Sequence, residues 1–140
     1  VDYDLRRKML DEVKHLDPCA GAALAMKGFE DGLPKLWTIH RALRLRRERP
    51  RSFGAAAAYT PIYAQGAKAN HALAYMRGAD VITIVPRLTL KARGWDDTAV
   101  ALPAGNWTNF LTGHTVSAGA TRVETLFQDF PVALLVRGNA

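Results

Sequence analysis

The sequence predicts an α+β fold, with helices in residues 1–52 and an antiparallel β-sandwich in residues 53–140. Apolar residues recur at helical spacing in the first third of the chain. Short β-branched or aromatic runs, each bounded by Gly, Pro or Asn, follow Phe53. A run of arginines that ends at Pro50 separates the two patterns. The 140 residues, of which 49% are hydrophobic, suffice for one domain, or for one small domain with an appendage.

The first helix is predicted from Asp2 to about Leu16. Either Asp2 or Asp4 can cap its start, and Pro18 stops it because the residue before a proline disfavours helical angles. The next segment, CAGAALAMKGFEDG, fits a short buried helix or a loop, and its sequence does not decide between them. One apolar face of the first helix is expected, formed by Leu5, Met9, Val13 and Leu16.

The strongest helix signal covers residues 31–53, DGLPKLWTIHRALRLRRERPRSF. Asp31 is a suitable N-cap, Pro34 is tolerated in the first turn, and Pro50 should end the helix near Arg49.

This helix has two apolar faces. At about 100° per residue, one face holds Leu36, Ile39 and Leu43. Trp37 and Leu45 lie nearly opposite. Because both faces are apolar, the helix is predicted to lie between two layers of structure.

Six short segments after Phe53 have the composition of β-strands. Glycines that can adopt positive φ place hairpin turns at residues 77–80 and 111–114. Pro86 lies in VITIVPRL, so this strand is expected to end there or to lie at a sheet edge. Regularly spaced strands of this kind are typical of an antiparallel sandwich or barrel. The segments are AAAAYTPIYA, HALAYMRG, VITIVPRL, DTAVALP, GNWTNFLTG and FPVALLVRG.

The net charge of +6 and the sequence pI of about 9.8 raise nucleic acid as a partner. The arginines of the central helix, however, frame apolar patches instead of forming one basic stripe. This pattern favours a solvated or inter-domain face, and we expect no nucleic acid partner. The arginines concerned are Arg41, Arg44, Arg46, Arg47, Arg49 and Arg51.

No apolar run approaches the roughly 20 residues of a membrane span, so no membrane partner is expected. The N-terminus lacks the apolar segment of a signal peptide, and Cys19 is the only cysteine. Together these features predict a reducing, cytoplasmic location. Cys19 itself is expected to be a small buried residue.

Sequence patterns of known catalytic sites are missing. There is no Walker loop and no GxGxxG, and the four histidines lack metal-binding spacing, so neither a cofactor nor a metal is expected. Asp96 and Asp97 are adjacent aspartates, and a glycosidase needs two carboxylates that flank one bond. Neighbours on a strand face opposite sides and could not act together, so this pair is interpreted as turn residues. Trp95, Trp107 and Tyr59 could form an exposed platform that stacks on sugars, although a core role is favoured for the tryptophans.

An ordered set of motifs carries a family resemblance. These motifs are VDY at residues 1–3, DGLPKLW, VPRL, GWDDT, LPAGNW, FLTG and FPVALLVR. The central helix also resembles the last helix of the catalytic barrel in the α-amylase superfamily, which leads into a C-terminal β-domain. On these motifs, essentially the whole chain resembles the C-terminal end of the maltooligosyl trehalose synthases, a family of that superfamily.

The resemblance implies that residues 1–52 are the last loop and helices of an incomplete (β/α)8 barrel. Residues 53–140 would then be its C-terminal β-sandwich domain. The catalytic triad of that family lies far upstream of the position of Val1, so no catalytic residue is expected in this chain. The implied partner is the upstream catalytic barrel, through which the chain would meet a maltooligosaccharide substrate. Asp2, Tyr3 and Lys35 are the residues implied to lie near the substrate cleft.

The implied enzyme is an intramolecular transglycosylase. It converts the reducing-end α-1,4 linkage of a maltooligosaccharide into the α,α-1,1 linkage of trehalose through a covalent glycosyl-enzyme intermediate. The alternatives are another α-amylase-superfamily enzyme, a stand-alone sugar-binding β-sandwich module, and a nucleic-acid-binding protein. If the barrel is incomplete, one apolar face of the central helix should be exposed: Leu36, Ile39 and Leu43, or Trp37 on the other side.

Overall fold

The computed structural model describes residues 2–91 and 93–138. Val1 of the VDY motif and residues 139–140 of the predicted sandwich domain lie outside the described residues. The helical part comprises α1 (Tyr3–Val13), α2 (Pro18–Lys27), α3 (Leu33–Glu48) and the single turn α4 (Pro50–Phe53).

Local sequence explains most of the helix boundaries. The carboxylate of Asp2 accepts a hydrogen bond from the Leu5 N–H at 2.9 Å, so Asp2 caps α1 as expected. The carboxylate of Asp17 caps α2, which settles the undecided segment as a helix. Cys19, expected to be buried, is exposed in the first turn of α2.

The start of α3 differs from the prediction. The N-cap is Gly32 rather than Asp31, and no side chain bonds to the free N–H groups there. Gly32 has φ of +76°, a conformation that suits glycine, so the loop turns one residue later than a capping aspartate would require. The end of α3 is confirmed, since Arg49 is its C-cap and Pro50 follows.

The described residues after Phe53 form seven strands in one antiparallel sheet, in the order β1-β3-β4-β7-β5-β2 with β6 paired to β5. A helical turn, α5 (Val123–Leu126), precedes β7, and two 3-10 turns lie at Ala69–His71 and Thr89–Lys91. The strands are β1 (Tyr59–Ile62), β2 (Ala64–Gln65), β3 (Ala72–Arg77), β4 (Val81–Pro86), β5 (Ala99–Asn109), β6 (Thr115–Arg122) and β7 (Ala133–Arg137).

The antiparallel pairing agrees with the prediction. The described strands form one sheet, however, and not the two facing sheets of a sandwich. β2 follows β1 after a single residue, yet β1 pairs with β3 and β2 pairs with β5 at the other end of the sheet. The sheet therefore curls on itself. The long β5 makes this possible because its register shifts between Leu102 and Asn106. Evenly spaced short strands look the same in sequence for both architectures.

Alternation along the strands produces two cores. Val81 and Val136 face the helices, whereas Ile82 and Leu135 face the inside of the curl. The helix-side core also contains Met9, Val13, Ala22, Ala25, Leu33, Trp37, Leu45, Leu111, Phe130 and Leu134. The inner core also contains Ala74, Ile84, Val100, Leu102, Trp107, Val123, Leu126 and Ala133.

Several sequence predictions about the sheet are confirmed. The turns at residues 77–80 and 111–114 join β3 to β4 and β5 to β6, with positive φ at Gly78 and Gly113. β4 ends at Pro86. Asp96 and Asp97 lie in a turn before β5.

The contact between Gly21 and Trp37 gives a test of the helical packing. A Cβ atom at Gly21 would lie within 2.7 Å of three ring carbons of Trp37. We expect Gly21→Ala to lower the free energy of unfolding by about 1–3 kcal/mol, because overpacking outweighs the gain in helix propensity. Chemical denaturation measures this.

Gly54→Ala is the matched control for that change. The nearest atom to a Cβ there is the Pro50 carbonyl oxygen at 3.6 Å, and φ is −68°. This variant should match or slightly exceed the parent, by up to about 1 kcal/mol. A Gly21→Ala protein as stable as Gly54→Ala would contradict the described packing.

Candidate docking face and tyrosine groove

The inner face of α3 is anchored to the end of the β5–β6 hairpin. The Trp37 Nε1–H donates to the Leu111 carbonyl oxygen at 3.1 Å. Arg41 donates through Nε and Nη2 to the Phe110 carbonyl oxygen at 2.8 and 2.6 Å. The Arg41 guanidinium also lies 4.0 Å from the centre of the Phe110 ring. Arg41 is only 4% exposed, so this face of the helix is fixed.

The end of α3 is attached to the β3–β4 hairpin by a second set of polar contacts. Arg49 Nη1 pairs with the Asp80 carboxylate at 3.1 Å, and the Ser52 hydroxyl donates to the same carboxylate. The backbone carbonyl of Asp80 accepts from the Arg137 N–H at 2.9 Å. These contacts join the end of α3 to the β3–β4 turn, so α3 is attached to the sheet region both within the helix and at its end.

The opposite face of α3 is uncovered. Ile39 is 45% exposed and Leu43 is 53% exposed, whereas Leu36 is half-buried beside α1. We call Ile39 and Leu43, with their neighbours Lys35 and Arg46, the outer face of α3. Of the two apolar faces predicted from sequence, the one with Trp37 is therefore buried and the other is exposed.

An apolar hollow of about 240 Å³ continues the outer face towards the sheet. Thr38 and Ala42 of α3 form one wall, and Val85 of β4 belongs to the opposite one. The hollow borders the outer face, because Ala42 lies three residues after Ile39 and residues at this spacing are neighbours on a helix surface. The remaining lining residues are Phe53, Tyr75, Thr83, Leu111, Val132, Ala133 and Leu134.

The predicted substrate-proximal residues lie at one end of the helical layer. Arg6 Nη1 donates to the Asp31 carbonyl oxygen at 2.5 Å, which joins the start of α1 to the start of α3. Asp2 and Tyr3 precede Arg6, and Lys35 follows Asp31 by one helical turn. All three are exposed, and Asp2 also serves as the α1 cap.

The alternative sugar platform of Trp95, Trp107 and Tyr59 is not assembled, and the core role favoured for the tryptophans is confirmed for Trp107. Trp107 is fully buried, and its Nε1–H donates to the Pro103 carbonyl oxygen at 2.9 Å. Trp95 is half-buried edge-on against Phe127. Of the three, Tyr59 is exposed. Trp107 points inward from β5, and Trp95, in the segment before β5, packs against the same inner core.

A groove of about 340 Å³ that sequence reasoning missed lies beside Tyr59. Tyr63, Asn70 and Arg87 belong to it together with Tyr59, and all four are exposed. We call it the tyrosine groove. The alternation of Tyr59, Pro61 and Tyr63 is the one sequence signal that could have indicated it, since alternate residues of a strand share a face.

Two further features are absent from residues 2–91 and 93–138. No group of three or more His, Cys, Asp or Glu side chains in this part of the chain could hold a metal ion. None of the helices described there has the length and apolar character needed to cross a membrane.

The fold defines a class of protein module, in which a helical layer is anchored to a curled antiparallel sheet and exposes its other face. No protein-family model matches the chain. It is 42% identical over 142 aligned positions to a Mycobacterium tuberculosis protein provisionally named maltooligosyl trehalose synthase, an alignment that covers 100% of this chain and 16% of the relative.

Solved structures give the same result. The structure of maltooligosyltrehalose synthase from Arthrobacter ramosus matches with a TM-score of 0.78 at 37% identity, covering 99% of this chain and 17% of that one. A hypothetical maltooligosyl trehalose synthase from Sulfolobus tokodaii shares the fold at 24% identity and a TM-score of 0.53. The chain is thus homologous to the C-terminal region of maltooligosyl trehalose synthases, and it spans about one-sixth of the relatives' length.

The Arg41 contacts predict that substitutions of Arg41 and Arg44 differ strongly in their effect on the free energy of unfolding. Arg41→Met should lower the free energy of unfolding by about 2–4 kcal/mol, because the Phe110 carbonyl loses its donors. Arg44→Met removes only an exposed pair with Glu48 at 2.7 Å and should cost no more than about 0.5 kcal/mol. Equal effects in a denaturant titration would contradict the anchoring role of Arg41.

His40 predicts a pH dependence of stability. Burial lowers the pKa of His40 below its ordinary value, and the neighbouring Arg41 and Arg44 guanidinium groups lower it further. The unfolded chain therefore binds a proton at a higher pH than the folded chain does. The contribution of neutral His40 to the free energy of unfolding is complete above the ordinary histidine pKa of about 6.5. It is lost as the pH falls towards the lowered pKa of His40 in the folded chain.

We accordingly expect the free energy of unfolding to fall between pH 7.5 and pH 5, measured by urea titration at each pH. His40→Asn should flatten this part of the profile. His15→Asn, which changes an exposed histidine, should leave the profile as it is. A profile unchanged by His40→Asn would contradict the assignment.

Proposed function

We propose that this chain is the C-terminal part of a maltooligosyl trehalose synthase, in which it supports a catalytic barrel supplied by a longer polypeptide. The observation that carries the proposal is the outer face of α3. A helix anchored through Trp37 and Arg41 presents Ile39 and Leu43 to solvent, as expected if a second layer belongs there. The relatives, about six times as long as this chain, are large enough to supply that layer.

The proposed reaction is an intramolecular transglycosylation. A barrel carboxylate displaces the reducing-end glucose to form a glycosyl-enzyme, and a carboxylic acid protonates the leaving oxygen. The released glucose turns and its anomeric hydroxyl attacks the intermediate, which forms the α,α-1,1 linkage. In this chain the adjacent Asp96 and Asp97 do not suit that work, because they lie in a turn and Asp97 accepts a hydrogen bond from the Ala67 N–H at 2.7 Å.

The proposed role of this chain is therefore structural. The outer face of α3 and the apolar hollow would pack against helices of the barrel, as ridges of side chains fill grooves between helices. Arg46 and Arg47 lie on the rim of this surface and are exposed, so they would reach carboxylates of the partner or water. We also propose that residues 1–52 are the last loop and helices of an incomplete barrel, and that residues 53–140 are its C-terminal β-domain.

Asp2, Tyr3 and Lys35 are proposed as the residues nearest the substrate cleft. They share one end of the helical layer, and Tyr3 is 74% exposed, which leaves its ring free to contact a sugar or a barrel loop. We also propose a cytoplasmic location, because the exposed thiol of Cys19 suits a reducing compartment.

The second candidate is the C-terminal region of another α-amylase-superfamily enzyme. A region without the catalytic groups does not set the reaction, so its fold alone does not exclude this. The 42% identity over the whole chain favours the trehalose-forming family. A stand-alone module that uses Trp95, Trp107 and Tyr59 is disfavoured, because Trp107 is fully buried.

The test is a chimera in which this chain replaces the homologous region of the mycobacterial relative. Incubated with maltohexaose, the chimera should form a non-reducing product that ends in trehalose, detected by loss of reducing ends and by NMR. A folded chimera without this product, beside an active parent, would contradict the proposal.

The docking face is tested in the same chimera. Ile39→Glu combined with Leu43→Glu should lower the yield of active enzyme by about tenfold or more, because each buried unpaired carboxylate costs several kcal/mol. Leu90→Glu is the control, since Leu90 is fully exposed in the short helical turn Thr89–Lys91 and does not line the apolar hollow. An Ile39→Glu, Leu43→Glu enzyme as active as the control would contradict the docking role.

A further inference from the structure

We propose that the tyrosine groove is a second carbohydrate-binding site, which holds a short α-1,4-linked glucan outside the catalytic cleft. The site lies along β1, at the edge of the sheet. The choice of an α-glucan rests on the proposed function, whereas the carbohydrate class follows from the residues that line the groove.

Aromatic rings form one side of the groove. Tyr63 is 80% exposed and Tyr59 is 57% exposed, and both line the groove. They are four residues apart, about 13 Å along a strand, which leaves room for a short oligosaccharide. Tyr59 stacks on Tyr75 with ring centres 4.7 Å apart, so its ring is held in place. The faces of such rings suit the apolar C–H side of a pyranose, and the phenol groups can bond its hydroxyls.

Hydrogen-bonding groups lie elsewhere in the groove. Asn70 belongs to the helical turn Ala69–His71, and Arg87 follows β4. The Arg87 N–H donates to the His71 carbonyl oxygen at 2.8 Å, and His71 Nδ1 lies 3.3 Å from the Arg87 carbonyl oxygen. These two contacts hold the segments of Asn70 and Arg87 side by side. An amide and a planar guanidinium supply the donors and the acceptor that vicinal sugar hydroxyls require.

The lining of the groove argues for a neutral, polar ligand. Arg87 is the one charged side chain among the described residues that line it, and small residues such as Ala69 and Ala72 leave space between the rings. A peptide added to the sheet edge is disfavoured, because Pro61 lies in the middle of β1 and has no N–H to donate. A neutral oligosaccharide fits both features.

The site adjoins the proposed docking face. Tyr75 stacks on Tyr59 on one side and lines the apolar hollow on the other. A glucan held here would therefore lie beside the joint between this chain and the barrel. This position would keep a long substrate close to the enzyme while its reducing end is in the catalytic cleft, which raises its effective concentration.

The experiment is a titration of the isolated chain with maltoheptaose, followed by NMR of the backbone amides. We expect weak, saturable shifts at residues of the groove, and smaller or absent shifts with cellohexaose, whose β-1,4 linkages give a straighter chain. Tyr63→Ala and Arg87→Ala should each weaken binding about five- to tenfold, whereas Tyr63→Phe should retain most of it. Phe29→Ala, at an exposed aromatic residue after α2 and outside the groove, should bind as the parent does.

Three results would overturn the site: no saturable shift with maltoheptaose, equal binding of cellohexaose, or shifts that Tyr63→Ala does not change in a folded chain. Burial of Tyr63 in the chimera would also overturn it. Residues 2–91 and 93–138 form helices and a single antiparallel sheet, so the titration of the isolated chain is independent of trehalose formation by the chimera. An active chimera with an empty groove would remove this inference alone, and an inactive chimera with a binding groove would remove the proposed function alone.

Discussion

The burial of Trp37 is the constraint on which the arrangement of the chain depends. Its indole ring occupies space that a side chain at position 21 would need, and its N–H reaches the carbonyl of Leu111, 74 residues later in the sequence. One residue thereby joins α2, α3 and the β5–β6 hairpin. Because α3 has a fixed rotation once Trp37 is seated, Ile39 and Leu43 must face away from the sheet.

The division into two cores explains how the chain can expose so much of α3. The curled sheet encloses its own inner core around Trp107, Ile82 and Leu135, which does not involve the helical layer. The helices pack on the other face of the sheet through Val81 and Val136. The helical layer is thus supported from one side, and its other side is available to a neighbour. This is the arrangement that the proposed docking against a second layer requires.

Periodicity predicted the parts of this structure that depend on local sequence. The two apolar faces of α3, the end of that helix at Pro50 and both hairpin turns follow from spacing and from residues with restricted backbone angles. Asp31 was a wrong cap because the glycine after it allowed the chain to turn later. The curl of the sheet could not be predicted, because it depends on the pairing of β2 with β5, which is distant in the sequence. In this pairing Ala64 lies opposite Val100 and Gln65 lies opposite Ala99.

The surfaces were predictable only in part, for the same reason. The outer face of α3 lies on one helix and was visible in the sequence. The tyrosine groove brings together residues from β1, a helical turn and the end of β4, and only strand pairing places Asn70 near Arg87. Trp107, the most conspicuous aromatic candidate, is in the core because its position on β5 faces inward. The VDY and DGLPKLW motifs nevertheless indicated the family before any surface was known.

The central claim is that α3 lies between two layers, one of which this chain does not supply. Hydroxyl-radical footprinting of Ile39 and Leu43, in the isolated chain and in the chimera with the mycobacterial relative, tests this most directly. Both side chains are predicted to be oxidised readily in the isolated chain and to be protected in the chimera, while Leu90 reacts equally in both. Equal oxidation of Ile39 and Leu43 in the two proteins would contradict the claim.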